Sequence, residues 1–388
     1  MRVHVSRTRS PSTFVSSCHC SLFDPQQTPM SSDNSPFAWL GLLKWSLSYS
    51  DGTQNVETSP MSPEDKAFLE AVMKEGIIDE GERMKTILKE VTETMEKWKQ
   101  NPATEEESDT IEDLLQELRD IVEQIDYARA FAAMKGLVFL LGCAQERDTM
   151  PRSTRLMCLG IVATMCQNNP PVQKELLEMG AIKTLSELYF AEESGDSSGN
   201  MRAKIIQAIS ALVRGHELAE QVFGQLEQST DLVNAGLGVG STTLPPLVLR
   251  KRTMFFLSAF LTSDASDRSR VQRFTPALVW VMVNFTDAET EEDVELRELS
   301  LAMLEKILSQ QTSVNAILEY KRTLVDRGVR RVAALRQLEG EDREFAQIEL
   351  DHWESIISLL ARTTPDSDPA PPMITSGSPD DQNQLLAQ

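Results

Sequence analysis

The chain has 388 residues, with 59 acidic against 38 basic side chains and a formal charge of −21. So acidic a surface argues against general binding to nucleic acid, whose phosphates it would repel. A hydrophobic fraction of 41% supplies a large core, so the chain as a whole is not disordered.

Residues 1–36 read as a disordered extension. The first 29 residues carry Arg2, Arg7 and Arg9, many Ser and Thr, and no acid before Asp24. Acid-poor, Arg-rich starts can be organellar transit peptides. Here no amphipathic face develops, and Pro11, Pro25 and Pro29 would interrupt a helix. Met30 is an alternative first residue. Residues 37–50 form a short amphipathic island holding Trp39, Leu42, Leu43, Trp45 and Leu47 between polar, turn-rich flanks. It is too small for a core and too apolar for a tail. It is expected either to dock into a partner's groove or to pack on the chain's own first helix.

N-terminal helices are predicted over 62–100. Ser62 suits an N-cap and Pro63 the first helical position. A helix through Ala67, Leu69, Val72 and Met73 breaks at Gly76, and another over Glu80–Trp98 carries Met84, Ile87, Leu88, Val91 and Met95 as a stripe. Asn101–Asp109, with Glu105, Glu106 and Glu107, reads as a solvated acidic linker.

Repeats are predicted over 110–340. A leading helix is striped by Leu114, Leu115, Leu118, Ile121, Val122 and Ile125, and an apolar run follows at Gly136–Leu141. A block beginning near Arg155 then returns near Arg202, Arg250 and Arg297. Each copy opens on a basic residue, runs through an apolar helix, and ends at a polar turn before two shorter helical pieces. The interval of roughly 45 residues is that of armadillo and HEAT arrays. Gly180 is placed as a helix stop, and Glu192–Asn200 reads as a flexible connection. Residues 341–362 read as a capping helix that buries Phe345, Ile348, Trp353, Ile356 and Leu359. Residues 363–388 are a Pro/Ser/Asp tail predicted to stay disordered. The fold class is therefore all-α, an armadillo-like α-solenoid of about four to five repeats with N-terminal helices and a capping helix.

Signatures of chemistry are sparse. His4, His19, His216 and His352 fall in unrelated segments, and Cys18-His19-Cys20 lacks the second pair a zinc site needs. Gly236, Gly238 and Gly240 mimic a phosphate loop, but no strand precedes them and no Lys accompanies the Ser/Thr. They read as an inter-repeat loop. Asn284-Phe285-Thr286 is an isolated glycosylation tripeptide. Cys143, Cys158 and Cys166 lie in apolar runs, where a thiol acts as a small hydrophobe, and five cysteines give no disulfide framework. No apolar run approaches the length of a membrane span. Catalytic, metal and cofactor sites are expected to be none, and the chain is not expected to be an enzyme. Arg250, Lys251 and Arg252 read either as a solvated helix start or as arginine anchors for a partner.

The Leu42-Leu43-Lys44-Trp45-Ser46-Leu47 start, followed by an armadillo array containing Gln167-Asn168-Asn169-Pro170, resembles one family over roughly residues 40–320. That family is the armadillo-type nucleotide-exchange factors of the heat-shock protein 70 chaperones, fungal cytosolic type. The resemblance implies a cytoplasmic adaptor that clasps one lobe of the chaperone's nucleotide-binding domain in a concave face and promotes ADP release. Ile125-Asp126-Tyr127-Ala128 is similar to the family's Leu-Asp-Asn-Ala contact stretch, with Tyr127 in place of Asn. Arg252 matches the Arg of the family's Lys-x-x-Arg motif. The resemblance thus implies chaperone contacts at Asp126, Ala128, Asn168, Asn169, Arg214, Arg250 and Arg252, with Ala128 at a close approach. It further implies that Leu42, Leu43, Trp45 and Leu47 form a flexible segment competing for the chaperone's peptide-binding domain. Neither nucleic acid nor a membrane is expected as a partner. The alternative is an armadillo scaffold that binds an extended peptide, though Trp280 is the sole tryptophan between Thr110 and Leu338, too few for the usual Asn/Trp ladder. A lumenal relative would need a signal sequence, which residues 1–36 do not provide.

Overall fold

The computed structural model describes residues 79–192, 196–285, 293–310 and 315–362, together with Pro63, Lys66 and Ala67. The chain divides into two units, Met1–Ile78 and Asp79–Gln388. In the first, the three described residues are helical and exposed. The extension, the island at 37–50 and the tail at 363–388 lie outside the described residues.

The described part of the second unit is all-helical. In order the helices are α1 (Glu80–Trp98), α2 (Glu105–Val122), α3 (Ile125–Ala133), α4 (Gly136–Gln145), α5 (Arg152–Cys166), α6 (Pro170–Glu178), α7 (Ala181–Ala191) and α8 (Asn200–Val213). Then follow α9 (Glu217–Gln225), α10 (Ser229–Leu237), α11 (Leu247–Leu261), α12 (Arg268–Asn284), α13 (Val294–Ser309), α14 (Asn315–Leu335), α15 (Glu341–Phe345) and α16 (Gln347–Arg362).

These helices stack in tiers. The long apolar ones pack in series, α2 on α5, α5 on α8, α8 on α11, α11 on α13 and α13 on α16. The short helices form a second series, α3 on α6 on α9. A third runs from α7 through α10 and α12 to α14. Each unit meets only its neighbours, the arrangement of a solenoid. In two units the break between short helices is a left-handed residue, Lys135 (φ 67°) before α4 and Gly180 (φ 73°) before α7, while the break between α9 and α10 has none. From α11 onward that break is missing, and the single 17-residue helix α12 replaces the two shorter pieces expected of the fourth repeat. The array therefore passes from three-helix to two-helix units.

Burial along the long helices follows their apolar spacing. Phe223, Phe256, Phe260 and Phe274 fill the joint between the third and fourth units, with the Phe223 ring 4.9 Å edge-on to Phe256 and 5.2 Å from Phe260. Three of the four repeated arginines, Arg155, Arg202 and Arg297, lie inside this packing. Arg155 donates to the Ala144 carbonyl at 2.9 Å and to Glu192 at 2.5 Å. Arg202 lies over the Tyr189 ring, and Arg297 reaches Glu349 at 3.4 Å. Each holds the start of a long helix against a neighbouring element. A repeated basic residue is thus a structural latch here.

Three expectations are corrected. The acidic run at Glu105–Glu107 opens α2: Thr104 and Glu107 form a reciprocal capping box, which satisfies two otherwise orphaned amides. Glu192 and Asp196, read as part of a flexible connection, are buried and gather Arg147, Arg152, Arg155 and Arg202 around them. Asp196 also accepts from the amides of Met201 and Arg202 at the start of α8. In the cap, the helix breaks at Ala346, leaving Phe345 76% and Ile348 56% exposed. Trp353, Ile356 and Leu360 carry the burial instead, and Leu359 is half-buried.

Candidate functional site

The long helices α5, α8 and α11 turn most of their surface inward and leave one narrow stripe to solvent, whereas α2 buries only Ile111, Leu115, Leu118, Ile121 and Val122. On α8 the stripe is Asn200, Lys204, Gln207, Ala211 and then Arg214 at the helix end. On α11 it is Val248, Arg252, Phe255 and Ala259. Steps of three and four residues keep these on one face. On α5 the corresponding stripe is Ser153, Met157 and Thr164, with buried Gly160 between them. On α2 it is Glu112, Gln116, Arg119 and Glu123. Because these four helices pack in series, the stripes make one continuous ladder face.

Gly160 leaves room on that face. The amino group of Lys204 lies 3.6 Å from where a Cβ on Gly160 would stand, so the lysine stem lies across α5. Burial holds the Lys204 amine below its ordinary affinity for a proton, and the charges of Arg119 and Arg252 lower it further. Lys204 donates to Gln207 at 3.2 Å. Among the described residues no carboxylate pairs with Arg119, Lys204 or Arg252, and the Nε of Arg119 is buried without a hydrogen-bond partner. Neighbouring Lys251 behaves oppositely. Hydrogen bonds to Glu295 at 2.5 Å and Asp293 at 3.0 Å raise its affinity for a proton. Arg214 lies over the Phe255 ring, 5.3 Å from its centroid, and Phe255 is 46% exposed.

The residues expected as contacts fall in three environments. Arg214 and Arg252 stand on the ladder face and flank Phe255. Asp126 and Asn168 are exposed at helix starts, Asn168 with φ 51°, a conformation that Asn tolerates and that Gly215 supplies one repeat later. Ala128 and Asn169 are each 1% exposed, and Arg250 donates to the Pro245 carbonyl at 3.1 Å. Ala128, expected at a close approach to a partner, has its methyl group enclosed by this chain's own helices. Asn169 likewise acts inward, accepting from Arg129 at 3.2 Å and so tying α3 to the start of α6. Leu42, Leu43, Trp45 and Leu47 lie outside the described residues.

Sequence reasoning missed Arg119, Gly160, Lys204 and Phe255. A lone Lys within the apolar run of α8, spaced four residues from Asn200 and ten from Arg214, was the available signal. Burial pushes the Cys166 thiol up to about 12, and a hydrogen bond with Cys143 together with burial raises Cys158 well above its ordinary value. Thiols so held remain protonated and unreactive. A cavity of about 750 Å³ opens on another tier, between α10, α12 and α14, lined by Asn234, Arg273, Trp280 and Tyr320 among others.

With this geometry in view, comparisons with known proteins are specific. Residues 40–131 match the family model described as nucleotide exchange factor Fes1. Hsp70-binding protein 1 of Homo sapiens is 26% identical over 198 residues, covering 50% of this chain and 54% of that protein. Hsp70 nucleotide exchange factor FES1 of Gibberella zeae is 26% identical over 190 residues, covering 47% of this chain and 79% of that protein. Among solved structures, a designed armadillo repeat protein in complex with peptide (KR)4 covers 71% of this chain and 100% of its own, at 15% identity and a TM-score of 0.47. The chain spans about half the length of the Hsp70-binding protein 1 relatives it matches.

Proposed function

We propose that this chain, which carries the Fes1 family region over residues 40–131, is a cytoplasmic nucleotide-exchange factor for an Hsp70 chaperone. It binds the chaperone's nucleotide-binding domain on the ladder face and promotes ADP release, with no bond made or broken. The observation that carries this reading is the exposed stripe of Arg252, Phe255 and Arg214 in a chain of net charge −21. Arg and aromatic side chains are the residues that anchor protein interfaces. A ladder of rigid helices presents them without the ordering cost that a loop would incur.

The energetics are modest. An exchange factor acts by binding an open lobe arrangement better than the closed, ADP-holding one, and it shifts the equilibrium only by that difference. A tenfold opening requires about 1.4 kcal/mol of differential affinity. An interface of ordinary size, about 1,600 Å², supplies that readily. In this reading the island at 37–50 acts separately, its leucines and Trp45 competing with unfolded clients for the chaperone's peptide-binding domain.

The test is stopped-flow loss of a fluorescent ADP analogue from a purified cytosolic Hsp70, with and without the full chain. Acceleration by the wild-type protein, reduced by Arg252→Ala with helicity unchanged, is the expected result. Unaccelerated ADP loss at saturating protein refutes the assignment. Deleting residues 37–49 should leave the ADP rate unchanged and lengthen client residence on the chaperone.

A further inference from the structure

Three cations on three different long helices converge on the ladder face. Arg119 comes from α2, Lys204 from α8 and Arg252 from α11, and Gly160 of α5 provides the gap through which Lys204 lies between them. The arrangement is costly to the free protein. A half-buried amine that lies across Gly160 also bears the unfavourable charges of two guanidinium groups, and among the described residues no carboxylate pairs with it. Elsewhere the same chain covers its buried cations, as Glu192 does for Arg155 and Glu220 for Arg270 at 2.5 Å. With 59 acidic residues available, carboxylates are not scarce. That none of them pairs with these three cations among the described residues marks a site left open for an anion from outside.

We infer that Arg119, Lys204 and Arg252 form a carboxylate-binding strip that receives an acidic surface of the partner ATPase domain, with Lys204 as its central contact. The inference rests on the function proposed above and deepens it by naming the chemistry of the recognised surface. The occupant is argued from charge complementarity. Three unpaired cations side by side need more than one negative charge, and a cluster of Asp and Glu side chains on a folded domain supplies it. Phe255 and the Arg214 guanidinium stacked on it border the strip and would exclude water from the ion pairs, which strengthens them. Docking pairs the central amine, so the cost carried by the free protein becomes a gain in the complex.

That trade gives a test that a merely structural lysine would fail. Lys204→Met, Lys204→Glu, Lys204→Arg and Arg119→Gln are made in the full chain. Each is measured for thermal midpoint, for affinity to the purified Hsp70 nucleotide-binding domain across a salt series, and for ADP loss in the same samples. Lys204→Met is expected to raise the midpoint by about 2 °C, because an uncompensated charge is removed. It should at the same time weaken binding about tenfold and flatten the salt dependence. Lys204→Glu should weaken it further, Arg119→Gln should weaken it, and Lys204→Arg should retain most of it. Wild-type affinity in Lys204→Met and Lys204→Glu, with wild-type protein accelerating ADP loss, overturns the strip and leaves the exchange function standing. Weaker binding accompanied by a lowered midpoint in both also overturns it, since Lys204 would then be supporting the fold. If the wild-type protein neither binds the domain nor speeds ADP loss, the exchange function fails and takes the strip with it.

Discussion

The guanidinium of Arg155 donates to the Glu192 carboxylate at 2.5 Å, with both side chains almost wholly withdrawn from water. The pair joins the start of α5 to the residue that ends α7, across 37 positions of sequence. Arg147 and Arg152 approach the same carboxylate at 3.0 and 3.6 Å, so three cations depend on it. Glu192→Ala should therefore be among the most damaging single changes in the array. Removing one member of a buried pair leaves the other uncompensated, at about 3–5 kcal/mol. A urea-unfolding midpoint within error of wild type would contradict this.

Ala128 permits a sharper distinction. Ala128→Arg forces a long cation into a site that is 1% exposed. The expected cost is roughly 3 kcal/mol or more, from overpacking and a buried charge together. The variant should lose helical signal at a lower temperature than wild type. Lost chaperone binding in such a protein reports on folding. Arg252→Ala, at an exposed position, should leave the midpoint within about 0.5 kcal/mol of wild type, and only there does weakened binding report a contact.

Gly328 lies in the middle of α14, where alanine would ordinarily be favoured by about 1 kcal/mol. A Cβ there would stand 2.7 Å from the ring of Trp353, which is fully buried on α16, and 3.1 Å from Ile357. Overpacking at such distances costs about 1–3 kcal/mol and exceeds the propensity gain. Gly328→Ala should destabilise the C-terminal end of the array, measured as faster amide exchange in α14 and α16. Slower exchange in both helices would show that the contact relaxes without cost.

The cap contributes a pH-dependent term. Burial raises the Glu305 carboxyl, but hydrogen bonds from Ser355 and His352 and the His352 charge outweigh it, so the group sits below its ordinary value. A carboxyl depressed in the folded state stabilises above its unfolded value, and the contribution is lost as pH falls through the folded one. Glu305→Gln should thus be less stable than wild type near neutral pH, with the difference shrinking through the acidic carboxylate range. A difference independent of pH across that range would exclude the linkage.

Much of this fold was legible locally. Stripes such as Met84, Ile87 and Val91 in α1, the stop at Gly180 and the recurrence from Arg155 to Arg297 each depend on residues within one or two turns, or on a repeated local pattern. A helix needs only its own backbone bonds and an apolar face, so the sequence marks it directly. The capping box at Thr104 and Glu107 was legible too, but the density of charge around it read as a linker.

The direction in which a side chain faces was not legible, because it depends on partners about 40–50 residues away. Arg155 and Arg252 both lie in long apolar helices two repeats apart, yet one is buried against Glu192 and the other meets solvent. Ala128, which the resemblance implies to be a partner contact, is enclosed once α3 is packed among its neighbours. The basic strip exists only after stacking, since Arg119, Lys204 and Arg252 share no local pattern and meet because α2, α5, α8 and α11 lie side by side. The amino-acid order set where helices form and how often they recur. Only the packing of one repeat on the next decided which charges were paired and which were left facing outward, because pairing requires carboxylates and cations from distant segments to reach the same few ångströms.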